Sequence, residues 1–349
     1  MAGKRIAVCT AQIPFVRGGA EIHAESLHRE LAQRGFEVDM IRLPFRWYPK
    51  EEVLKGYLAW RLLDLTESEG RKIDMVVALK FPAYVVQHPN KITWLIQQFR
   101  QAYDLFGTPH THFTNDPDDT RLRQIIRTID TQTLAESRRL FTNARNTANR
   151  LARFNGLQAE PLYVPPPLDG RYRHESYGDY LLVVSRLNVL KRINLVVEAM
   201  AHTQPHVRCI VVGQGEEQDN LARLARERGV SGRIQFLGFV DDTRLLDLYA
   251  NCFAVYYGPY DEDYGLATVE AFKSRKPVLT MVDSGGVLEF VEDDVTGYIA
   301  LPGDPQALAA HIDRLHADRA LCQRLGEAGH ERVKDVTWDR TIERLIGEH

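Results

Sequence analysis

The sequence predicts an α/β protein of two domains, each built on a parallel sheet with helices on both faces. Short apolar runs alternate with helical patterns along the chain, which is typical of such sheets. The alternation breaks at residues 161–170, PLYVPPPLDG, because three consecutive prolines fit neither a helix nor a central strand. It restarts at once with DYLLVVSRL. We therefore predict domains at 1–168 and 169–349.

The secondary structure elements follow from the apolar runs in chain order. The first domain has the strand-like runs RIAVCT, EVDMIRL, DMVVALKF, KITWLIQQF and RRLFTNA, and the second has DYLLVVSRL, VRCIVVG, RIQFLGF, CFAVYYG and PVLTMVD. Helices are predicted at about residues 20–34, before Gly35, and 145–154, before Gly156. From Asp304 onward the pattern is helical, and a terminal helix of this kind can cross back to the first domain.

The composition is that of a soluble globular protein. The chain is 44% hydrophobic and 26% charged with a net charge of -3, so no excess of positive charge indicates nucleic-acid binding. The four cysteines, Cys9, Cys209, Cys252 and Cys322, lack metal-ligand spacing and are expected to be free thiols. We find no secretory signal and no apolar run of the ~20 residues that a membrane span needs. These features favour a cytoplasmic protein.

Ligands of parallel α/β sheets bind beyond the carboxyl ends of the strands, and a glycine-rich turn lies at the first such end. Gly18, Gly19 and Glu21 stand between the first strand and the first helix. Glycines let backbone amides approach a ligand, and a helix N-terminus attracts an anion. The alternative is a tight turn with no ligand.

Two cations follow the first strand of the second domain. Arg186 leaves the strand and Lys191 begins the next helical pattern, an arrangement suited to a diphosphate. The alternative is ordinary surface charge. Gly213, in the GQG turn after VRCIVV, can line a nucleotide pocket, although the turn lacks the third glycine of a dinucleotide fingerprint.

The strongest candidate is an acidic loop followed by a helix, YGPYDEDYGLATVE. Glu262 lies on the loop, Gly265 opens the helix, and Glu270 lies within it. Both carboxylates can face one strand end and accept hydrogen bonds from sugar and ribose hydroxyls. An acidic helix cap would explain the loop but not Glu270. Gly285 and Gly286 form a second glycine-rich turn, after PVLTMV, suited to phosphate or sugar.

Together these residues resemble the family-4 glycosyltransferases of the GT-B fold, in which two Rossmann-like domains face each other across a cleft. Glu262 and Glu270 match the family's E-x7-E signature, and Gly18–Glu21 matches its GG-x-E loop. VSRLNVLKRIN, VVGQGEE, FLGFV and DSGGVLEFVEDDVTGYI match its other motifs in the same order. The resemblance covers nearly the whole chain.

The resemblance implies a role for each motif. Arg186 and Lys191 would bind the donor diphosphate, Glu270 the ribose hydroxyls, and Glu262 the transferred sugar, which makes Glu262, Arg186 and Lys191 the implied catalytic set. Further donor-binding positions are implied at Gly18, Gly19, Glu21, Gly213, Gly238, Phe239, Tyr264, Gly265, Leu266, Gly285 and Gly286. Among these, Gly238 and Phe239 would lie by the nucleobase.

The sequence departs from the family at the fourth strand of the first domain. Many relatives carry a histidine at its end, whereas this chain has Gln97 and Gln98. Glutamine does not titrate, so it cannot take the acid–base or charged role of that histidine. We take Gln97, Gln98 and Arg100 as the candidates on the acceptor or sugar side.

The implied reaction transfers a hexose-type sugar, with retention, from a UDP-sugar or a GDP-sugar to a hydroxyl of a glycan or a lipid-linked glycan. No cofactor or metal is required, because cations and helix N-termini stabilise the leaving diphosphate. The alternatives are a nucleotide-sugar epimerase and a non-catalytic nucleotide-sugar-binding protein. Residues 42–65 mix basic and aromatic side chains, which fits either peripheral membrane contact or an amphipathic core helix.

Overall fold

The computed structural model describes residues 3–347 and divides into two compact units. The first unit runs to Pro167 and resumes at Trp338, and the second is Leu168–Thr337. The division after Pro167 lies one residue from the predicted boundary. The last segment differs, because residues 169–349 were all predicted for the second domain and those from Trp338 onward join the first unit instead.

The C-terminal helix explains this difference. Trp338, at its start, is 5% exposed, and its indole Nε1 donates to the Pro166 carbonyl oxygen at 3.3 Å. Arg34 and Asp339 form an ion pair between the first helix of the first unit and this last one. Burial of an apolar face against the first unit therefore decides where the chain end packs. The expectation that the terminal helix crosses back is confirmed.

The first sheet has six parallel strands in the order β2-β1-β5-β6-β7-β8. Its strands are β1 (Arg5–Gln12), β2 (Glu37–Pro44), β5 (Met75–Ala78), β6 (Lys91–Leu95), β7 (Arg139–Thr142) and β8 (Glu160–Pro161), and a separate hairpin is formed by β3 (Glu67–Ser68) and β4 (Arg71–Lys72). All five predicted strands are confirmed. The three two-residue strands, β3, β4 and β8, were not predicted, because two residues carry no periodic signal.

The second sheet also has six parallel strands, in the order β11-β10-β9-β12-β13-β14. Its strands are β9 (Tyr180–Val184), β10 (Arg208–Val212), β11 (Ile234–Gly238), β12 (Ala254–Tyr256), β13 (Val278–Met281) and β14 (Gly297–Ala300). The five predicted strands are confirmed, and only β14 was missed.

Eleven α-helices lie among the described residues. They are α1 (Gly19–Gln33), α2 (Glu52–Arg61), α3 (Pro117–Ala135), α4 (Arg145–Asn155), α5 (Ile193–Met200), α6 (Gln218–Glu227), α7 (Asp242–Asn251), α8 (Leu266–Lys273), α9 (Pro305–Ala317), α10 (Arg319–Val333) and α11 (Trp338–Ile346). None of these helices of residues 3–347 is long and apolar enough to cross a membrane. All four cysteines are buried free thiols, as predicted.

Each sheet has one point where the strand order reverses, and that point positions the candidate site. In the first unit the reversal lies between β1 and β5, and in the second it lies between β9 and β12. The chain leaves the neighbouring strands there in opposite directions across the sheet, which opens a crevice at their carboxyl ends. The predicted binding residues should therefore gather at these two strand pairs.

Candidate functional site

Arg186 lies just beyond the carboxyl end of β9, at the reversal point of the second sheet. Its side chain is exposed, and it makes no hydrogen bond or ion pair with any described residue. The GQG turn packs closely against this segment. A Cβ on Gly213 would lie 1.8 Å from the Ser185 carbonyl oxygen, so only glycine fits at that position. Gly213 thus acts here through close packing against the backbone that presents Arg186.

Lys191 lies five residues further and is held by two groups of the β12 side. Its Nζ is 2.5 Å from Oε2 of Glu262 and 3.0 Å from the hydroxyl oxygen of Tyr257. Burial disfavours the ammonium charge, but the Glu262 carboxylate and Tyr257 outweigh it and raise the pKa of Lys191 above its ordinary value. Lys191 is therefore a permanent cation, and one of its three N–H donors is left for a ligand.

Arg192 holds the loop between β12 and α8 in place. Its guanidinium binds Asp283 through both oxygens, at 2.8 and 2.6 Å, and donates to the carbonyl oxygens of Gly258 (2.9 Å) and Pro259 (2.7 Å). One planar fork thus joins the loop after β12 to the turn after β13. The backbone φ of Arg192 is 50°, a left-handed conformation that this set of contacts maintains.

The acidic loop and the second glycine-rich turn interlock through their backbones. The Gly286 amide donates to the Glu262 carbonyl oxygen at 2.7 Å, and a Cβ on Gly286 would lie 2.3 Å from the Asp263 carbonyl oxygen. Gly285 has a φ of 60°. Only glycine allows the turn to come this close to the acidic loop. The turn therefore positions Glu262, and its backbone amides are also suited to binding a phosphate or a sugar.

Glu270 lies inside α8, and each of its carboxylate oxygens accepts a hydrogen bond from one tyrosine hydroxyl. Tyr172 donates to Oε1 at 3.1 Å and Tyr249 donates to Oε2 at 2.7 Å. Glu270 is 7% exposed, and burial raises its pKa to about 7 although the two hydrogen bonds oppose the rise. The helix begins after Gly265, whose φ of 86° makes the turn from loop to helix.

The remaining donor-side positions surround this cluster. Phe239 follows β11 directly and is 73% exposed, while Gly238 accepts a hydrogen bond from the Gly213 amide at 2.8 Å. Tyr264 is buried with its ring 5.7 Å from that of Phe290. Leu266 is the first residue of α8, where backbone N–H groups have no partner within the helix.

In the first unit, the GG-x-E loop lies at the reversal point between β1 and β5. Gly18 caps α1, and its amide donates to Oε2 of Glu21 at 2.9 Å. The other oxygen of Glu21 pairs with Lys80 Nζ at 2.5 Å. Lys80 leaves the carboxyl end of β5, so this pair joins the two strands of the reversal. A Cβ on Gly19 would meet nothing within 4 Å.

The structure separates the three acceptor-side candidates. Gln97 is half-buried at the carboxyl end of β6, whereas Gln98 is 1% exposed and donates to the Asn155 amide oxygen at 2.6 Å. Arg100 is ion-paired with Asp104 at 2.6 Å. Gln98 and Arg100 therefore have structural partners, whereas the half-buried side chain of Gln97 has no hydrogen-bond partner among residues 3–347.

In the second unit two cations thus follow β9, and two carboxylates lie on the loop and the helix that follow β12. Arg186, Lys191 and the N-terminus of α8 can stabilise a diphosphate, and Glu262 and Glu270 can accept hydroxyl hydrogen bonds. No cluster of three or more His, Cys, Asp or Glu residues suited to a metal ion occurs within residues 3–347.

The residues that hold the side chains of this site could not be predicted from the sequence. Tyr172 and Tyr249 follow no motif and are separated from Glu270 by 98 and 21 positions. Lys80 could have been selected as a candidate from the sequence, because it is a lone charged residue just after an apolar strand. Asp283 lies in the second glycine-rich turn, with Gly285 and Gly286. Its pairing with Arg192 depends on strand order and could not be predicted from the sequence.

Comparison with known proteins assigns the chain to a class. Residues 170–332 match the family model for glycosyl transferases group 1, and residues 17–168 match that for glycosyltransferase family 4. The solved sucrose-phosphate synthase of Thermosynechococcus elongatus covers 98% of this chain and 97% of its own, with a TM-score of 0.76 at 18% identity. HepE of Anabaena in complex with UDP-glucose covers 98% of both chains, with a TM-score of 0.74 at 17% identity. These likenesses show the GT-B fold.

The chain belongs to the family-4 glycosyltransferases. It is 36% identical over 163 residues to the lipopolysaccharide core biosynthesis glycosyltransferase LpsE of Rhizobium meliloti, a match that covers 46% of this chain and 47% of that protein. A match to an uncharacterized glycosyltransferase of Methanocaldococcus jannaschii covers 43% of that relative, so the chain spans less than half of either protein. A D-inositol 3-phosphate glycosyltransferase of Nocardia farcinica is 24% identical over 94% of this chain and 84% of its own length.

Proposed function

We propose that this protein is a retaining, metal-independent glycosyltransferase that moves a hexose-type sugar from a nucleoside diphosphate to an acceptor hydroxyl. The observation that carries the proposal is the contact between Lys191 and Glu262 at the carboxyl ends of β9 and β12, with Arg186 directly after β9 and Glu270 on the helix that follows β12. Cations for a leaving diphosphate and carboxylates for sugar and ribose hydroxyls are the groups that such a transfer needs.

The chemical step breaks the bond between the anomeric carbon and the diphosphate oxygen. Arg186 and Lys191 stabilise the charge that develops on the diphosphate as this bond breaks. The acceptor oxygen bonds to the same face of the anomeric carbon, and the acceptor proton passes to the departing phosphate. We assign no carboxylate as nucleophile, in contrast to retaining hydrolases.

The donor lies along the second sheet in this proposal. Phe239 and Gly238 contact the base, Glu270 the ribose hydroxyls, and Glu262 the sugar. We favour uridine as the base, with guanosine as the other candidate. Support comes from two structural relatives, since HepE was solved with UDP-glucose and the S. aureus protein TarM with UDP.

For the acceptor we propose a glycan or a lipid-linked glycan. The name of LpsE as a lipopolysaccharide core enzyme supports this class. Peripheral membrane contact would involve the 42–65 segment, where Tyr48, Leu58 and Leu62 are 60%, 59% and 74% exposed. The same segment buries Trp60 at 1% exposure, so it serves the core as well.

The test is to incubate the protein with UDP- and GDP-sugars, with and without glycan acceptors, in EDTA and then with added magnesium or manganese. We expect release of the nucleoside diphosphate that depends on the acceptor and persists in EDTA, with an unchanged anomeric configuration in the product. Conversion of the donor alone into another sugar would identify an epimerase. Binding without turnover on every acceptor would identify a nucleotide-sugar-binding protein, and loss of activity in EDTA would refute metal independence.

A further inference from the structure

Two tyrosines from different segments converge on Glu270. Tyr249 lies on α7 and is fully buried, and Tyr172 lies in the segment that follows the boundary between the units. They donate to opposite oxygens of the carboxylate, and their rings lie 6.0 Å apart in an edge-to-face arrangement. The Glu270 side chain is thereby fixed about its last bond, because rotation of the carboxylate would break both hydrogen bonds.

The two tyrosines leave part of the hydrogen-bonding capacity of the Glu270 carboxylate free for a ligand. A carboxylate offers about four acceptor positions, two on each oxygen. Tyr172 and Tyr249 fill one on each oxygen, so one remains on each. Two adjacent hydroxyls on one ring, spaced like the 2′- and 3′-hydroxyls of ribose, match two free acceptor positions on neighbouring oxygens.

We infer that Tyr172 and Tyr249 are positioning residues that orient Glu270 to bind a vicinal diol and so make the site selective for ribonucleotides over deoxyribonucleotides. The inference rests on the proposed function, because it takes the ribose of the donor as the ligand of Glu270. Neither tyrosine is required to touch the donor.

A second contact holds the Tyr172 segment to the same helix. Asp169 Oδ1 lies 3.1 Å from Lys273 Nζ, with both side chains largely buried, and Lys273 is three positions after Glu270 on α8. Residues i and i+3 lie on one face of a helix. The segment is therefore attached to α8 at two neighbouring points, and Tyr172 has a defined position from which to donate.

The test compares nucleotide affinities of Tyr172→Phe and Tyr249→Phe with those of the unaltered protein. Calorimetry with UDP and 2′-deoxy-UDP, and with GDP and 2′-deoxy-GDP, gives a ribose-to-deoxyribose affinity ratio for each protein. We expect the unaltered protein to prefer the ribonucleotide by about tenfold or more, since a hydrogen bond to a charged group is lost in the deoxy form. In both variants the ratio should fall several-fold, mainly through weaker binding of the ribonucleotide.

Tyr298→Phe is the matched control, because it also removes a hydroxyl that donates to a carboxylate, that of Asp294 at 2.9 Å, elsewhere in the unit. It should keep the full ratio. Tyr172 is only half-buried, so Tyr172→Phe stays informative even if the fully buried Tyr249→Phe fails to fold. An unchanged ratio in a folded Tyr172→Phe would overturn the inference. Absence of nucleotide binding by the unaltered protein would instead refute the proposed function.

Discussion

Lys191 and Glu262 are ion-paired across 71 positions of the chain, with 2.5 Å between Nζ and Oε2. The side chain of Arg186, by contrast, has no hydrogen-bond or ion-pair partner among the described residues. The two cations proposed for the diphosphate are therefore in different states before a ligand arrives. Arg186 is available as it stands, whereas Lys191 is tied to the carboxylate proposed to hold the sugar, so the positions of the two groups are coupled.

Replacing Glu262 by Gln should separate sugar contacts from diphosphate binding. Lys191 loses a competing anion, so we expect UDP affinity to stay within about threefold or to increase. The rate constant kcat should fall by about tenfold or more, because a charged hydrogen bond to the sugar is lost as the ring distorts. Calorimetry and initial rates measure the two effects. Glu331→Gln, at an exposed glutamate on α10, is the control, and a loss of UDP binding in Glu262→Gln alone would contradict separate roles.

Replacing Arg192 by Lys should loosen the acidic loop. Lysine has no planar fork of N–H donors, so it cannot donate hydrogen bonds to Asp283, Gly258 and Pro259 at the same time. We therefore expect the free energy of unfolding to fall by roughly 1–3 kcal/mol. Urea unfolding of Arg192→Lys, Asp283→Asn and the double variant should give a clear coupling energy. Arg324→Lys, which weakens an exposed pair with Asp294, should cost less than about 1 kcal/mol. Additive effects of Arg192→Lys and Asp283→Asn would show that their contact does not hold the loop.

Two glycine substitutions should differ in stability. Gly286→Ala forces a Cβ to 2.3 Å from the Asp263 carbonyl oxygen, so the melting temperature should fall and donor binding should be lost. Gly19→Ala meets no atom and lies at the start of α1, where alanine favours the helix, so stability should be kept. Thermal unfolding of the two variants measures the difference, and an equal loss of stability in Gly19→Ala would contradict the open space around its Cβ.

Donor affinity should rise with pH around neutrality. The pKa of Glu270 is about 7, and its ionised form accepts the ribose hydroxyls, so protonation below that pH removes an acceptor. Lys191 stays charged because its pKa is raised. We expect UDP-glucose, whose phosphates do not titrate in this range, to bind about tenfold more weakly at pH 6 than at pH 8. Calorimetry of Glu270→Gln should show no such dependence, and an equal dependence in that variant would exclude Glu270 as its source.

Glu270 should also lower the stability of the protein at alkaline pH. Its pKa is raised from 4.5 in the unfolded chain to about 7 on folding, so the folded state binds the proton more tightly. Stability is therefore lost as pH rises from about 4.5 through 7, and roughly 3 kcal/mol is missing at pH 8. The free energy of unfolding of Glu270→Gln, relative to the unaltered protein, should increase by a similar amount between pH 5 and pH 8. Asp130 is also buried with a raised pKa, but it contributes equally to both proteins, so its effect on the free energy of unfolding cancels in this difference. A pH-independent difference would contradict the raised pKa of Glu270.

The amino-acid sequence by itself determined the two α/β units, ten of the twelve strands in the two six-stranded sheets and most of the charged residues of the candidate site. Most of the apolar runs of the two units form parallel strands, and ligand groups follow their carboxyl ends. Glu262 and Glu270 could be selected because their spacing is local and is carried by one loop and one helix.

Only the tertiary structure decided which residues hold those groups. Tyr172 reaches Glu270 across 98 positions, Arg192 reaches Asp283 across 91, and Lys80 reaches Glu21 across 59. Such pairs depend on strand order and register, which no local periodicity encodes. The same holds for burial, which made Gln98 part of the interior and left its neighbour Gln97 half-exposed, because both follow the end of β6, where exposure depends on which segments of the folded chain pack over each side chain.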